Sequence, residues 1–260
     1  MIKGKNIIRD ILSRPIFQSF FEIVLNFSLK VLNVGEGHTV ETSGEKVAIE
    51  ILNKIVKNDQ AIVFDVGAHM GEWFNLFKKY YTKKSTVYSF EPSTKSYSEL
   101  SKIKEGGFYP TNLALGDITE KKFLTFDNKG DTTAYVSNEK NNIKHSEEIN
   151  VITLDKYCSD NNIKQIDLLK LDVEGYELKV LSGAKEMIKN GNIKLIQFEF
   201  GAPSEEKYSL IDFFDILGEQ YQICRILKHG YYPLKKYNHY YEIMTLTNFV
   251  AIKKDLLDLI

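Results

Sequence analysis

The chain has 260 residues, 43% of them hydrophobic and 27% charged, with lysines and acids interleaved along it. That composition supports one folded domain with an extension and excludes a disordered chain. A formal net charge of -1 leaves no basic face for a phosphate backbone, so nucleic acid is not an expected partner.

The first 34 residues carry Lys3, Lys5 and Arg9 and then "IFQSFFEIVLNFSLKVL". Glu22 and Lys30 interrupt the apolar run, no small-residue cleavage site follows, and the run falls short of the roughly 18 apolar residues of a membrane span. The pattern predicts an amphipathic helix that packs on the main domain. A membrane surface, touched peripherally, and a second copy of the chain in a homodimer are the other surfaces that could cover it. Ser43 then reads as the N-cap of a helix carrying Val47, Ile51, Ile55 and Val56. This places an N-terminal helical extension at 1–58 and the main domain at 59–260.

From residue 61 short apolar runs alternate with helical patterns: "AIVFDV", "EWFNLFKKYY", "TVYSFEP", "KSYSELSKIKE", "FYPTNLALGD", "IDLLKLDVEG", "ELKVLSGAKEMIKNG" and "IKLIQFEFG". Such alternation predicts an α/β domain, a parallel sheet with helices on both faces. The stretch 117–155 is less regular, with "KKFLTF" and "EINVITL" as short strands. "YQICRIL" and "NFVAIKK" are expected to finish the sheet as a hairpin around an aromatic connection at 229–245. Two cysteines, Cys158 and Cys224, lack C-x-x-C spacing and suit a reducing, cytoplasmic setting.

The turn after "AIVFDV" carries the first chemistry. A dinucleotide loop would need glycine where His69 and Glu72 stand, which argues against a nicotinamide oxidoreductase. Asp65, Gly67 and Gly71 instead suit a loop beneath a cationic amino-acid moiety, with Gly67 turning the backbone close to a ligand. Glu91, followed by Pro92, ends the next apolar strand, where a carboxylate can accept both hydroxyls of a ribose. In "NLALGD" the backbone of Leu113 and Ala114 can meet an adenine edge, and Asp117 its amine. His38, His145, His229 and His239 show no ligand spacing, so no metal site is expected.

"FDVGAHMGEWF", "VYSFEPSTKSYSEL", "NLALGD", "ITLDKYCSDNNIKQIDLLKLDVEGYELKVLSGA" and "IQFEFG" together resemble the FkbM family of S-adenosylmethionine-dependent methyltransferases, over roughly residues 33–253. "NVGEGHTVETSGE" and "NFVAIKK" are similar to its bacterial polysaccharide-locus members. His69 departs from the broader D-x-G-x-G-x-G pattern, which leaves hydrogen bonding by its ring or backbone open. The resemblance implies a Rossmann-like class I methyltransferase fold with a mostly parallel seven-stranded sheet. It implies S-adenosylmethionine with its methionine part at Asp65 and Gly67, its ribose at Glu91 and its adenine at Leu113 and Ala114. It further implies an O-methyltransferase acting on a small-molecule sugar or nucleotide-sugar acceptor in capsule, lipopolysaccharide or other surface-glycan synthesis. A non-sugar hydroxyl or amine acceptor, or a nucleotide-binding protein without catalysis, are the alternatives.

A base for the acceptor is sought after the fourth and fifth strands. Asp172 is the first choice as base or substrate anchor, and could equally hold the donor's ammonium; Glu174 and Glu199 follow. Glu177 reads as a helix-dipole partner. Tyr231, Tyr232, Tyr237 and Tyr240 are expected to grip the sugar ring in part, with purely structural packing of that aromatic connection as the equal alternative.

Overall fold

A computed structural model describes residues 9–35, 43–57, 60–126, 134–137, 139, 145–202, 208–243 and 245–260. The proposed domain boundary at 58/59, together with His38, Lys3 and Lys5, lies outside them. The helical preface contains α1 (Gln18–Val31), and α2 (Lys46–Ile55) leads to β1 (Ala61–Val66). The chain continues through α3 (Glu72–Tyr80), β2 (Ser85–Phe90), α4 (Thr94–Leu100) and β3 (Phe108–Thr111). Next come β4 (Ala114–Leu115), β5 (Glu120–Phe126), β6 (Ala134–Ser137) and β7 (His145–Ile152). After α5 (Leu154–Asp160) and β8 (Ile166–Leu171) follow α6 (Glu177–Ser182), α7 (Lys185–Lys189) and β9 (Ile193–Phe200). The last elements are α8 (Leu210–Leu217), β10 (Tyr221–Leu227), β11 (Gly230–Pro233) and β12 (Thr247–Lys253).

The main sheet has eight strands in the order β11-β10-β12-β9-β8-β1-β2-β3. From β9 to β3 all pairing is parallel, whereas β12 runs antiparallel to both β9 and β10. This is the expected Rossmann-like class I arrangement, with one strand beyond the seven predicted. The extra strand comes from the aromatic connection: β10 and β12 do pair antiparallel, but Gly230–Pro233 folds back first as β11 on the outer side of β10.

β8 is buried at every position and β1 at all but one, which is why both read as continuous apolar runs. One face of the sheet is packed by α2 and α3, through Val47, Ile51 and Phe77 against Val63, Leu168 and Leu195. The other is covered by α5 to α8, through Leu154, Val180, Ile188 and Phe213 against Phe64, Leu169 and Phe198. Helix α2, assigned to the extension on sequence, thus belongs to the domain core. The chain leaves β1 toward β2 and β3 on one side and returns as β8 and β9 on the other. A crevice opens at the carboxyl edge where the order reverses.

A second, four-stranded sheet, β4-β7-β5-β6, grows from the irregular stretch. Both strands expected there form, but they pair with each other rather than with the main sheet. The N-terminal helix departs from expectation: α1 buries none of its side chains among the described residues. Phe20, Ile23 and Phe27 are 60%, 68% and 68% exposed. Just past α1 the chain is tied down, where Asn33 Nδ2 donates to the carbonyls of Ser43 (2.9 Å) and Ile226 (3.3 Å).

Candidate active site

Asp65 and Lys170 are register partners on adjacent strands, β1 and β8, and both are fully enclosed. Lys170 Nζ lies 3.2 Å from Asp65 Oδ1 and 3.3 Å from Asp172 Oδ2, donates to the Gly67 carbonyl at 3.4 Å, and sits over the Trp73 ring at 5.9 Å. Burial alone would pull the lysine's pKa down, yet the charges of Asp65, Asp172 and Glu45 outweigh it and hold the pKa above its ordinary value. Removing one member of such a buried pair costs about 3 to 5 kcal/mol, because the partner is left uncompensated. Asp65 therefore holds a cation, but the cation is the protein's own Lys170.

The loop after β1 is locked to the loop after β2. The Gly67 and Ala68 amides both donate to the Phe90 carbonyl at 3.0 Å. His69, at φ 47, gives its backbone N–H to Glu91 Oε2 at 2.9 Å, while the Ser93 amide donates to Glu91 Oε1 at 2.8 Å. Asn112 Nδ2 donates to the carbonyls of Glu91 and Pro92. Burial raises the Glu91 pKa against the lowering effect of those two amides. The His69 ring places Nδ1 3.3 Å from Glu72 Oε2 and leaves Nε2 buried without a partner among the described residues.

After β8 the chain turns sharply through Glu174 (φ 52) and Gly175 (φ 91). Glu174 is half-buried, and its pKa is raised by burial and then by the charge of Asp172. Glu177 is not a surface dipole partner. It is fully buried, accepts from the Val173 amide (3.0 Å) and the Gly175 amide (3.4 Å), and receives the Tyr208 hydroxyl at 3.3 Å. It clasps the turn that presents Glu174, and burial lifts its pKa to about 7. Glu199 is buried, and burial followed by the charges of Asp172, Glu177 and Glu174 lifts its pKa to about 9. That direction favours the uncharged acid and weighs against Glu199 as the base. Asp117 is ion-paired with Lys179 at 3.1 Å, so its carboxylate is engaged away from any adenine amine.

These loops enclose a cavity of about 330 Å³ at the carboxyl edge. Of the residues singled out on sequence, Gly67, His69, Glu91, Pro92, Leu113, Ala114, Asp172 and Glu174 line it. Asp65 lies behind Lys170, and neither it nor Glu199 is among the lining residues. The tyrosines are elsewhere too: Tyr231 packs on the α2–α3 side of the core, Tyr237 stacks edge-on against Phe214, and Tyr232 and Tyr240 are exposed. In their place the second sheet contributes an apolar wall of Leu124, Phe126, Ala134 and Val136. Sequence reasoning also missed Glu45. It arrives from just before α2, lines the same cavity, and accepts from Ser43 Oγ (3.0 Å) and Gln197 Nε2 (3.2 Å). Its only sequence signal is the acid two residues after Ser43.

The family model described as the Methyltransferase FkbM domain matches residues 65–231. The chain belongs to the FkbM methyltransferase family. Methyltransferase 1 of Beauveria bassiana is 28% identical over 147 residues, which cover 48% of this chain and 59% of that protein. The hexuronic acid methyltransferase AglP of Haloferax volcanii is 22% identical over 174 residues, 65% of this chain and 68% of that one. The crystal structure of methyltransferase FkbM from Methylobacillus flagellatus aligns with a TM-score of 0.48 at 15% identity, covering 74% of this chain and 43% of that chain. The chain thus spans less than two thirds of the Beauveria bassiana relative and of the crystallised one.

S-adenosylmethionine is the cofactor that goes with this family membership. The cavity fits it on local grounds. Its volume is within the range of small-molecule sites, it joins an apolar edge at Leu113 to Leu115 to the Glu91 carboxylate, and the buried His69 Nε2 still needs a partner. Among the described residues no group of three or more His, Cys, Asp or Glu could hold a metal, and no helix is long and apolar enough to cross a membrane.

Proposed function

We propose that this protein is an S-adenosylmethionine-dependent O-methyltransferase acting on a sugar hydroxyl in surface-glycan biosynthesis. The observation that carries the reading is the convergence, in one cavity, of Gly67 and Glu91 on one side with Asp172 and Glu174 on the other. The hexuronic acid methyltransferase among the relatives supports the sugar class. When bound, S-adenosylmethionine supplies a methyl group already activated on a sulfonium, so the protein's task is alignment and removal of one proton.

Glu91 would hold the ribose hydroxyls with lone pairs that the His69 and Ser93 amides leave free, and Leu113 with Ala114 would flank the adenine. Asp172, anchored by Lys170, would orient the acceptor. Glu174 is the better base. It faces the cavity without an ion pair of its own among the described residues, and its raised pKa brings it toward the pH at which it must take a proton. The acceptor would lie against the apolar wall of β5 and β6 rather than on the tyrosines. Holding two reactants in line supplies about 7 to 11 kcal/mol of barrier reduction, and a positioned base adds a factor of about 10² to 10⁴.

The test is incubation with S-adenosylmethionine labelled in its methyl group and a panel of nucleotide sugars and glycosides, with mass spectrometry locating the label. An O-methylated sugar is expected, formed about 10²-fold more slowly by Glu174→Gln with donor affinity retained. Label on an amine or a non-sugar hydroxyl would reassign the acceptor. Undiminished turnover in Glu174→Gln would remove Glu174 from the role of base.

A further inference from the structure

We propose that Glu45 holds the ammonium group at the amino-acid end of the methyl donor, so that the Ser43–Glu45 segment, outside the family-matched region, completes the donor pocket. The inference rests on the methyltransferase reading above and assigns the one end of the donor for which that reading leaves no residue. Asp65, the obvious carboxylate by sequence, is enclosed behind Lys170 and does not line the cavity. Glu45 does line it, at 7% exposure.

Its two carboxylate oxygens are oriented by neutral donors alone, the Ser43 hydroxyl and the Gln197 amide. Among the described residues no lysine or arginine lies within ion-pair distance of it. Lys170 attracts it, but the ion pairs of Lys170 are with Asp65 and Asp172. Three carboxylates therefore surround a single buried ammonium. A third carboxylate sharing that one ammonium is complementary to a further cation brought by a ligand. Gln197, fully buried, leaves its Oε1 without a donor among the described residues, immediately beside the Glu45 oxygen that its Nε2 serves.

The segment is held rigidly enough to serve. Gly44 has φ +80, and a Cβ there would stand 2.6 Å from the Leu227 carbonyl oxygen, so the turn is pressed against the end of β10. Asn33 ties the same turn to Ile226. Burial, only partly offset by Lys170, lifts the Glu45 pKa to about 7, the state of a carboxyl that awaits a cation.

The experiment is calorimetric titration of the full chain with two ligands, S-adenosylhomocysteine and 5′-methylthioadenosine. They share adenosine and a thioether, but only the first carries the amino-acid end. Glu45→Gln is expected to weaken S-adenosylhomocysteine about tenfold or more while leaving methylthioadenosine within about twofold. Glu45→Asp, which keeps the charge, should recover part of the loss. Glu91→Gln should weaken both ligands. If Glu45→Gln binds S-adenosylhomocysteine like the wild type, or loses both ligands equally, the assignment is overturned. If the wild type binds neither ligand, it is the donor reading itself that fails.

Discussion

Gly67 shows how a single position couples loops that are distant in the chain. Its φ is +80, and an added Cβ would lie 1.7 Å from the Asp172 carbonyl oxygen, a backbone atom that cannot swing aside. The sequence suggests that this glycine lets a ligand approach; the structure shows that it lets the β1 loop seat on the β8 loop. Gly67→Ala should therefore destabilise the fold by about 3 kcal/mol or more, through strain and displaced backbone. Denaturant unfolding measures it, and a loss below about 1 kcal/mol would mean that the two loops separate easily. Glu91 is constrained in the same way, because each oxygen receives a backbone amide. In Glu91→Gln one of those amides would face an NH₂ group, leaving a buried donor unsatisfied at a cost of about 1 to 3 kcal/mol. Both stability and donor affinity should fall, as chemical unfolding and titration of the same sample can show.

At the scale of elements, what the sequence discloses is what burial alone decides. β1, β2, β8 and β9 are recognisable because their apolar runs are enclosed on both faces, and Glu91 and Asp172 follow from where those runs end. What it conceals depends on pairing across long separations. "KKFLTF" and "EINVITL" read correctly as strands, but nothing in either says that Phe123 will pair with Glu148 and Phe126 with His145 to wall the cavity from outside the main sheet. The tyrosines of β11 have the chemistry of a sugar site and the wrong place in the fold, because which edge of the sheet a late strand joins is not a property of its composition. Glu45 is hidden for the same reason: its partner Gln197 lies 152 residues away. Helix α1 has an apolar composition, yet among the described residues none of its side chains is buried. Replacing Phe20, Ile23 and Phe27 together by serine should change unfolding free energy by no more than about 0.5 kcal/mol, as for exposed surface changes. A loss of several kcal/mol would show that the helix is covered by the domain in solution.

Around the cavity the carboxyls whose pKa is shifted all act in one direction. The Glu45 and Glu177 pKa values are raised from 4.5 to about 7 and that of Glu199 to about 9, each chiefly by burial, and those of Glu91 and Glu174 are raised as well. Below the ordinary carboxylate value of 4.5 these groups are protonated in both folded and unfolded chains, and their contribution is complete. As the pH rises past that value the unfolded chain releases protons that the folded chain still holds, so stability falls until the folded-state values of about 7 and about 9 are passed. Lys170, also raised, keeps its favourable contribution through this range, because it is lost only as the pH climbs through a folded value above the ordinary 10.5. The protein should therefore be most stable in mild acid and lose stability steadily toward alkaline pH, with Glu199 responsible for the last part of the decline. Denaturation midpoints of the wild type should fall between about pH 5 and pH 9, whereas Glu199→Gln, which keeps the shape and cannot ionise, should match the wild type near the first and exceed it near the second. Parallel declines in the two proteins would place the titrating group elsewhere among the acids around Lys170. Because a cation at Glu45 would favour the charged carboxylate, saturating S-adenosylhomocysteine should flatten the wild-type decline, linking donor binding to the same buried charge.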